Sequence, residues 1–249
     1  MDNLNINRIY NIDVLEGLRK LPNNSVDLII TSPPYNKMGL NGKQKGKNWN
    51  KTIDYGGDAD IDNKPEDDYQ EWIIQILNEC HRVLKKDGSL FFNHKNRIKV
   101  GKGEISTPMD FIRYSPFKVR QEIIWEHSGS ANVEPSRYVP SFEKIYWLTK
   151  SKKVRFKRDL NSQFKRDVWK ISQQKNTEHP APFPIDIPNN IIPSVAQGER
   201  ILVLDPFMGS GTVAISAILN GCDYMGFELI PEYVKMANDK IFLLKSHTF

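Results

Sequence analysis

Short apolar runs that end at polar or acidic residues alternate with amphipathic segments along the chain. The clearest run, Ile-Leu-Val-Leu at 201–204, is typical of a strand buried on both faces. It leads through Asp205 and a glycine-containing turn into an apolar helical run at 213–219, and Gly221 favours the end of that helix. Residues 223–228 predict a second strand that ends in an acid. This order of elements indicates parallel strands joined by helices.

The same alternation predicts elements in the rest of the chain. Buried strands are predicted at 26–30 and 89–93, and a half-buried strand at 7–13. The strongest helical pattern covers 66–86, with acids in its first turns and lysines in its last, and Gly88 is predicted to end it. Weaker patterns predict two more strands and two more helices, at 121–126, 143–149, 187–195 and 231–244.

The turn after residue 204 has the chemistry of a ligand site. Gly209 and Gly211 allow a tight turn and let a ligand lie against bare backbone, and the amides that open the next helix favour an anionic group. Glu228, about 20 residues further on, stands where an acid can accept hydrogen bonds from a ribose diol. Two glycines alone are weak evidence, because many such turns bind nothing. The complete strand–turn–helix–strand–acid unit favours a nucleotide-like cofactor.

Residues 205–212 read Asp-Pro-Phe-Met-Gly-Ser-Gly-Thr, which resembles the S-adenosylmethionine-binding motif of the DNA amino-methyltransferases. The similarity continues through 226–228 and 231–233. It implies S-adenosyl-L-methionine as the cofactor. The residues that it assigns to cofactor binding are Asp205, Pro206, Phe207, Gly209, Ser210, Gly211, Thr212 and Glu228.

A second loop, Thr-Ser-Pro-Pro-Tyr-Asn at 31–36, follows the predicted strand at 26–30. Two prolines stiffen it and leave few backbone donors, and a bare Pro-Pro-Tyr is more often a simple connector. Here it resembles the catalytic motif of the same methyltransferases, in the Ser-Pro-Pro-Tyr version. The resemblance implies that the Ser32 side chain and the Pro33 carbonyl accept hydrogen bonds from the target amine. It also assigns Pro34 to the motif and implies that Tyr35 stacks on a flipped-out base.

The order of the two motifs resembles the class beta group of these enzymes, in which the recognition region lies between them. The implied fold is α/β, with a doubly wound, mainly parallel seven-stranded sheet and a small irregular target-recognition region. We expect residues 1–93 to form the catalytic part of the methyltransferase domain, 94–178 the recognition region, and 179–249 the cofactor-binding part. Two further similarities imply that Asp13 lies near the adenine of the cofactor and that the segment with His179, Pro180 and Phe183 lies against its methionine end.

Basic residues suggest contacts to double-stranded DNA. The formal net charge of +5 is mildly favourable for a polyanionic partner. Lys43, Lys45 and Lys47 lie in a glycine-rich segment that is either a plain disordered insert or a flap that orders on phosphates. Candidates in the recognition region are either ordinary surface residues or DNA contacts, and they are Arg137, Tyr138, Lys152, Lys153 and Arg155.

The target base is cytosine or adenine. Serine at position 32 is usual in cytosine-N4 enzymes, so we expect N4 methylation of cytosine, with adenine N6 as the alternative. RNA or a protein glutamine stays open as a substrate, as does a DNA-binding protein of this fold without turnover. Methylation at cytosine C5 requires a cysteine nucleophile, and neither Cys80 nor Cys222 lies in a candidate loop.

Several broader expectations follow from composition. Two cysteines outside any CxxC pair indicate a reduced, cytoplasmic compartment, with no metal site and no disulfide framework. The N-terminus lacks the pattern of a signal peptide, and no apolar run approaches the ~20 residues of a membrane span. The family resemblance makes a cognate restriction endonuclease a candidate partner. The sequence leaves open whether the protein is a monomer or a homodimer.

Overall fold

The computed structural model describes residues 4–36, 64–98, 104–128, 138–173 and 183–248. Ten strands lie in these ranges: β1 (Arg8–Asn11), β2 (Val26–Thr31), β3 (Leu84–His94), β4 (Arg97–Ile98), β5 (Ile105–Ser106), β6 (Lys118–Glu126), β7 (Phe142–Thr149), β8 (Val168–Lys170), β9 (Leu202–Asp205) and β10 (Asp223–Glu228). The helices of the same ranges are α1 (Val14–Arg19), α2 (Glu66–Val83), α3 (Met109–Ile112), α4 (Asp186–Ala196), α5 (Thr212–Leu219) and α6 (Pro231–Thr248).

Within the described ranges, eight strands form one sheet in the order β1-β10-β9-β2-β3-β7-β6-β8, and β4 pairs with β5 in a separate hairpin. The first five strands of that order are parallel to one another, and β7 runs antiparallel to both β3 and β6. The predicted doubly wound, mainly parallel α/β fold is confirmed. The sheet gains one strand over the seven expected, because the three-residue β8 pairs with the edge of β6.

Helices cover both faces of the sheet and enclose two cores. One core contains the apolar side chains of α1, α2 and α3, and the other those of α4, α5 and α6. Successive residues of β2 alternate between them, since Leu28 and Ile30 face the second core and Ile29 the first. Burial on both faces explains why the central strands are continuous apolar runs rather than alternating ones.

The predicted strands at 121–126 and 143–149 are both present, and they belong to the main sheet as β6 and β7. Much of the expected recognition region at 94–178 therefore builds the sheet and is not irregular. The boundaries proposed for that region stay a prediction.

The prediction that Gly88 ends the long helix is wrong. Helix α2 stops at Val83, because Leu84 adopts an extended conformation and pairs with Val26 at the start of β3. Gly88 lies inside β3, where a Cβ atom would stand 2.7 Å from the carbonyl oxygen of Asp27. The glycine thus permits the close approach of β2 and β3 instead of capping a helix.

The sheet order places both sequence motifs at one edge. Strand β9 pairs with β2 in the centre of the sheet, and the connections from these two strands lead to opposite sides. The carboxyl ends of β2, β3, β9 and β10 therefore lie together at a topological switch point, where open α/β sheets bind their ligands. In the part of the chain that the structure describes, no helix is long and apolar enough to cross a membrane.

One glycine of β10 fixes the position of the cofactor loop. A Cβ atom at Gly226 would overlap the side chain of Met208, which is buried between this strand and the loop. We expect Gly226→Ala to lower the free energy of unfolding by about 1–3 kcal/mol through overpacking. Because Met208 is the residue in the way, Met208→Ala should cost less in the Gly226→Ala background than alone. Urea unfolding of the four proteins measures both effects, and strict additivity would contradict the contact.

Candidate active site

The cofactor loop, residues 205–212, has the backbone conformation that its glycines predict. Gly209 and Gly211 have φ angles of 50° and 87°, in the left-handed region. A Cβ atom at Gly211 would lie 2.8 Å from the Cβ atom of Ala237 in α6. Gly211 also forms the N-cap of α5, so the bare loop backbone leads directly into a helix N-terminus.

Glu228 holds the cofactor loop from the end of β10. One carboxylate oxygen accepts a hydrogen bond from the Gly209 backbone N–H at 2.8 Å, and the other accepts one from the Ile230 N–H at 2.9 Å. Burial raises the pKa of Glu228 above its ordinary value, although these N–H groups oppose the shift. The predicted cofactor acid therefore lies against the glycine turn.

A buried hydrogen bond joins the cofactor loop to the end of β2, which leads directly into the catalytic loop, residues 32–36. Thr31, the last residue of β2, donates its hydroxyl proton to Asp205 Oδ1 at 2.8 Å, and the Phe207 N–H donates to the same oxygen at 3.0 Å. Burial, and to a smaller extent the charge of Glu228, raises the pKa of Asp205 to about 7. The two motifs, far apart in the sequence, thus form one site.

The catalytic loop contacts two polar residues that belong to neither motif. Ser32 Oγ lies 3.0 Å from the hydroxyl of Tyr35, which donates to Glu143 Oε2 at 2.8 Å. The Asn93 side-chain N–H₂ group lies 2.6 Å from the Tyr35 hydroxyl and 3.0 Å from Glu143 Oε2. Asn93 ends the apolar run of β3, and Glu143 precedes that of β7. A polar residue at the end of each strand is therefore the sequence feature that marks these two positions.

Helix α2 supports the same loop from the other face of the sheet. The buried Tyr69 hydroxyl donates to the Pro34 carbonyl at 2.7 Å and lies 2.8 Å from His94 Nε2. Asn36 and Lys64 exchange two bonds, in which the Asn36 amide donates to the Lys64 carbonyl at 3.0 Å and accepts from its N–H at 2.9 Å. Asn36 has a φ of 53°, so the loop ends in a residue with a left-handed backbone conformation. The two bonds to Lys64 hold the side chain of this residue.

Phe207 and Trp72 form an aromatic contact between the cofactor loop and α2. Their ring centroids are 5.7 Å apart at an interplanar angle of 73°, and both rings are half-buried. This edge-to-face contact leaves apolar ring surface at the carboxyl edge of the sheet, beside the glycine turn.

Of the remaining residues predicted to bind the cofactor, the structure describes Asp13 and Phe183. Asp13 lies beside the end of β10 and caps α1, accepting hydrogen bonds from the N–H groups of Leu15 and Glu16. Phe183 is partly buried against the core under α4, while His179 and Pro180 lie outside the described residues. Contacts of these residues with the cofactor stay a prediction.

The predicted DNA-binding residues that the structure describes lie at two different edges of the sheet. Lys43, Lys45, Lys47 and Arg137 lie outside the described residues. Tyr138 is fully exposed and precedes β7 at the edge that carries the catalytic loop. Its contact with DNA stays a prediction.

The basic stretch after β7 is not near the catalytic loop. Because β7 runs antiparallel to β3, Lys152, Lys153 and Arg155 emerge at the opposite edge of the sheet. There Arg155 pairs with Glu199 at 2.8 Å, and its backbone N–H donates to the carbonyl of Asp87. Contact of these three residues with DNA stays a prediction.

Neither cysteine is available as a nucleophile for C5 methylation. Cys80 is buried in α2, and Cys222 is buried before β10. Burial raises the pKa of both thiols, which disfavours the thiolate that such chemistry needs. Among the described residues, no group of three or more His, Cys, Asp or Glu side chains is arranged to hold a metal ion.

A cavity of about 500 Å³ lies elsewhere, between β3, β6 and β7 and the irregular segment before β8. Aromatic and basic side chains line it, among them Trp147, Phe156, Arg158 and Lys165. No predicted catalytic or cofactor residue contributes to its walls, so this cavity is separate from the candidate active site at the two loops.

Comparison with known proteins identifies the family of this chain. A family model described as DNA methylase, of N6 and N4 type, matches residues 26–239. The type II methyltransferase M.BglII of Bacillus subtilis is 31% identical over 93% of this chain and 68% of its own length. DNA adenine methyltransferase YhdJ of Escherichia coli strain K12 is 28% identical over 90% of this chain and 79% of its own.

Solved structures share the fold. PvuII DNA methyltransferase, described as cytosine-N4-specific, superposes with a TM-score of 0.74 at 20% identity, covering 97% of this chain and 95% of its own. M1.HpyAVI, solved as a complex with S-adenosylmethionine, gives a TM-score of 0.62 at 23% identity, covering 94% and 98%. The predicted family and cofactor are confirmed: this chain belongs to the N6/N4 DNA methylase family of S-adenosylmethionine-dependent methyltransferases.

Proposed function

We propose that this enzyme transfers a methyl group from S-adenosyl-L-methionine to the exocyclic N4 amine of a cytosine in double-stranded DNA. The observation that carries the proposal is the hydrogen bond between Thr31 and Asp205, which holds the cofactor loop beside Ser32. Acceptors for an amine and a loop for the methyl donor thus meet at one sheet edge.

The residues present fit the cofactor. Left-handed Gly209 and Gly211 leave bare backbone for a ligand to approach, and the Glu228 carboxylate next to them can accept hydrogen bonds from ribose hydroxyls. When bound, S-adenosyl-L-methionine supplies an electrophilic methyl group on a sulfonium. Asp205 would provide the nearby negative charge that favours this cation.

Ser32 and Pro33 would make the exocyclic amine of the target base more nucleophilic. The lone pair of an exocyclic amine is delocalised into the ring, so the amine attacks poorly. Hydrogen-bond acceptors at its two N–H groups favour a tetrahedral, more nucleophilic nitrogen. Ser32 Oγ and the Pro33 carbonyl would accept these bonds, and positioning by the loop would supply most of the catalysis.

The base must leave the duplex to reach this loop, because a target amine inside paired DNA is inaccessible to such a pocket. Tyr35 would then stack on the flipped base, and exposed Tyr138 would contact the duplex near the same edge. We retain Lys43, Lys45, Lys47 and Arg137 as proposed phosphate contacts, because they precede or follow elements that end at this edge.

Cytosine N4 is favoured over adenine N6 by the serine at position 32. The name of the PvuII neighbour also favours it, whereas YhdJ is a named adenine methyltransferase, so adenine stays the second candidate. Relatives named as type II methyltransferases support a role in restriction–modification, with a cognate endonuclease as a candidate partner. Such a role places the enzyme in the cytoplasm with chromosomal DNA.

Product analysis tests the reaction. The protein is incubated with unmethylated bacterial DNA and S-adenosyl-L-methionine, and the DNA is digested to nucleosides for mass spectrometry. We expect N4-methylcytosine, with none formed when the cofactor is omitted. N6-methyladenine would keep the mechanism and overturn the target base. Cofactor binding without either product would refute DNA amine methylation under these conditions.

Cofactor affinity should depend on pH through Asp205. Its raised pKa of about 7 means that the carboxyl gains a proton as the pH falls through this value, and the neutral form no longer attracts a sulfonium. We expect affinity to weaken below pH 7, by up to about tenfold per pH unit. Calorimetry from about one and a half pH units below this pKa to about one unit above it measures the slope.

Asp205→Asn is the matched control for this titration, because it keeps an acceptor for Thr31 but cannot ionise. The affinity of this variant should be lower at pH near 7, and it should change less as the pH falls further. Glu228, whose pKa is also raised, would add a shallower decline at lower pH in both proteins. Equal slopes for the two proteins would show that Asp205 does not titrate with binding.

A further inference from the structure

Glu143 is a buried carboxylate beside the catalytic loop that belongs to neither motif. It is the second residue of β7, its side chain faces the same side of the sheet as Asn93, and only 8% of its surface is exposed. A buried carboxylate needs hydrogen-bond donors, and here they come from Tyr35 and Asn93. Glu143 therefore contacts the catalytic loop, which carries Ser32, through Tyr35.

The carboxylate sets the direction of the hydrogen bonds around it. An ionised carboxylate can only accept, so the single hydroxyl proton of Tyr35 points to Glu143 Oε2 across 2.8 Å. The 3.0 Å bond between Ser32 Oγ and the Tyr35 oxygen then has to be donated by Ser32. The Ser32 proton is thereby directed away from the target amine, and its lone pairs stay available.

Asn93 completes the arrangement. Its N–H₂ group faces Glu143, because an amide oxygen in that place would be repelled by the carboxylate. The same group donates to the Tyr35 oxygen at 2.6 Å. That oxygen thus donates once and accepts from Ser32 and Asn93, which fixes the Tyr35 hydroxyl in one orientation.

We propose that Glu143 is a positioning residue that acts through the Tyr35 hydroxyl to make Ser32 Oγ an obligatory acceptor. This inference rests on the proposed role of Ser32 at the target amine. A serine hydroxyl is both donor and acceptor, and a serine that turned its proton toward the amine would compete with catalysis. The Glu143–Tyr35 pair removes that orientation.

Tyr35 thus has a second role beside stacking. Its ring would contact the flipped base, while its hydroxyl transmits the direction set by Glu143. A loop with aspartate at position 32 would have no hydroxyl proton to direct, so it would not need Glu143. The serine form of the motif and the carboxylate on β7 therefore belong together chemically.

A double-mutant cycle on methyl transfer tests the inference. Tyr35→Phe keeps the stacking ring and removes the hydroxyl, and Glu143→Gln keeps the shape and removes the charge. We expect each to lower kcat by about tenfold or more, with the KM for DNA and the Kd for S-adenosyl-L-methionine within about threefold of the unmodified enzyme. Because both act on one proton, the double variant should be no slower than the slower single variant.

Two further variants separate positioning from a structural effect. Glu122→Gln removes a carboxylate on the neighbouring strand β6, where it pairs with Lys144 at 2.8 Å, and it should leave kcat within about twofold. In the Ser32→Asp background, Glu143→Gln should no longer lower kcat, since no serine proton remains to be directed. A merely structural Glu143 would lower kcat in both backgrounds.

The possible failures are distinguishable. Unchanged turnover of Tyr35→Phe would refute the role of the hydroxyl while leaving the proposed methylation intact. Losses that multiply in the double variant would show that Glu143 does not act through Tyr35. No methyl transfer to DNA by the unmodified enzyme would refute the proposed function itself, and the inference with it.

Discussion

The hydrogen bond from Thr31 to Asp205 is the interaction on which the site depends. It joins the last residues of β2 and β9, two neighbouring strands in the centre of the sheet, and it is buried on both sides. Buried bonds to charged acceptors stabilise by roughly 1.5–3 kcal/mol, and an unpaired carboxylate there would cost more. Ser32 follows this bond by one residue and Phe207 by two, so its geometry sets the distance between catalytic and cofactor loops.

Two further elements hold the catalytic loop on opposite sides of the sheet. Helix α2 provides the Tyr69 hydroxyl for the Pro34 carbonyl, and β7 provides Glu143 for the Tyr35 hydroxyl. Proline leaves the loop without backbone donors at two positions, so these side-chain contacts replace the backbone hydrogen bonds that a ladder would give. The loop is therefore positioned before substrate arrives, which is what catalysis by orientation and electrostatics requires.

Local chemistry made the fold and both loops predictable from the sequence. The apolar runs of β2 and β9 predict strands buried on both faces. Gly209 and Gly211 predict a tight turn with left-handed backbone angles, which glycine adopts readily. The strand-end positions of Asn93 and Glu143 were visible in the sequence, but their contact was not predictable. It arises from the pairing of β3 with β7, which brings together residues 50 positions apart. The antiparallel direction of β7 likewise carries the following basic stretch to the sheet edge opposite the catalytic loop, and no local pattern reveals that direction.

The affinity of the Thr31→Val enzyme for S-adenosyl-L-methionine tests whether the two loops form one site through this bond. Valine keeps the shape of threonine and removes the donor, whereas Thr31→Ser keeps the donor. By calorimetry we expect the valine variant to bind about tenfold more weakly, and the serine variant within about threefold of the unmodified enzyme. Affinity unchanged by valine would contradict a role for this bond, because the cofactor loop would then keep its geometry without the hydrogen bond to β2.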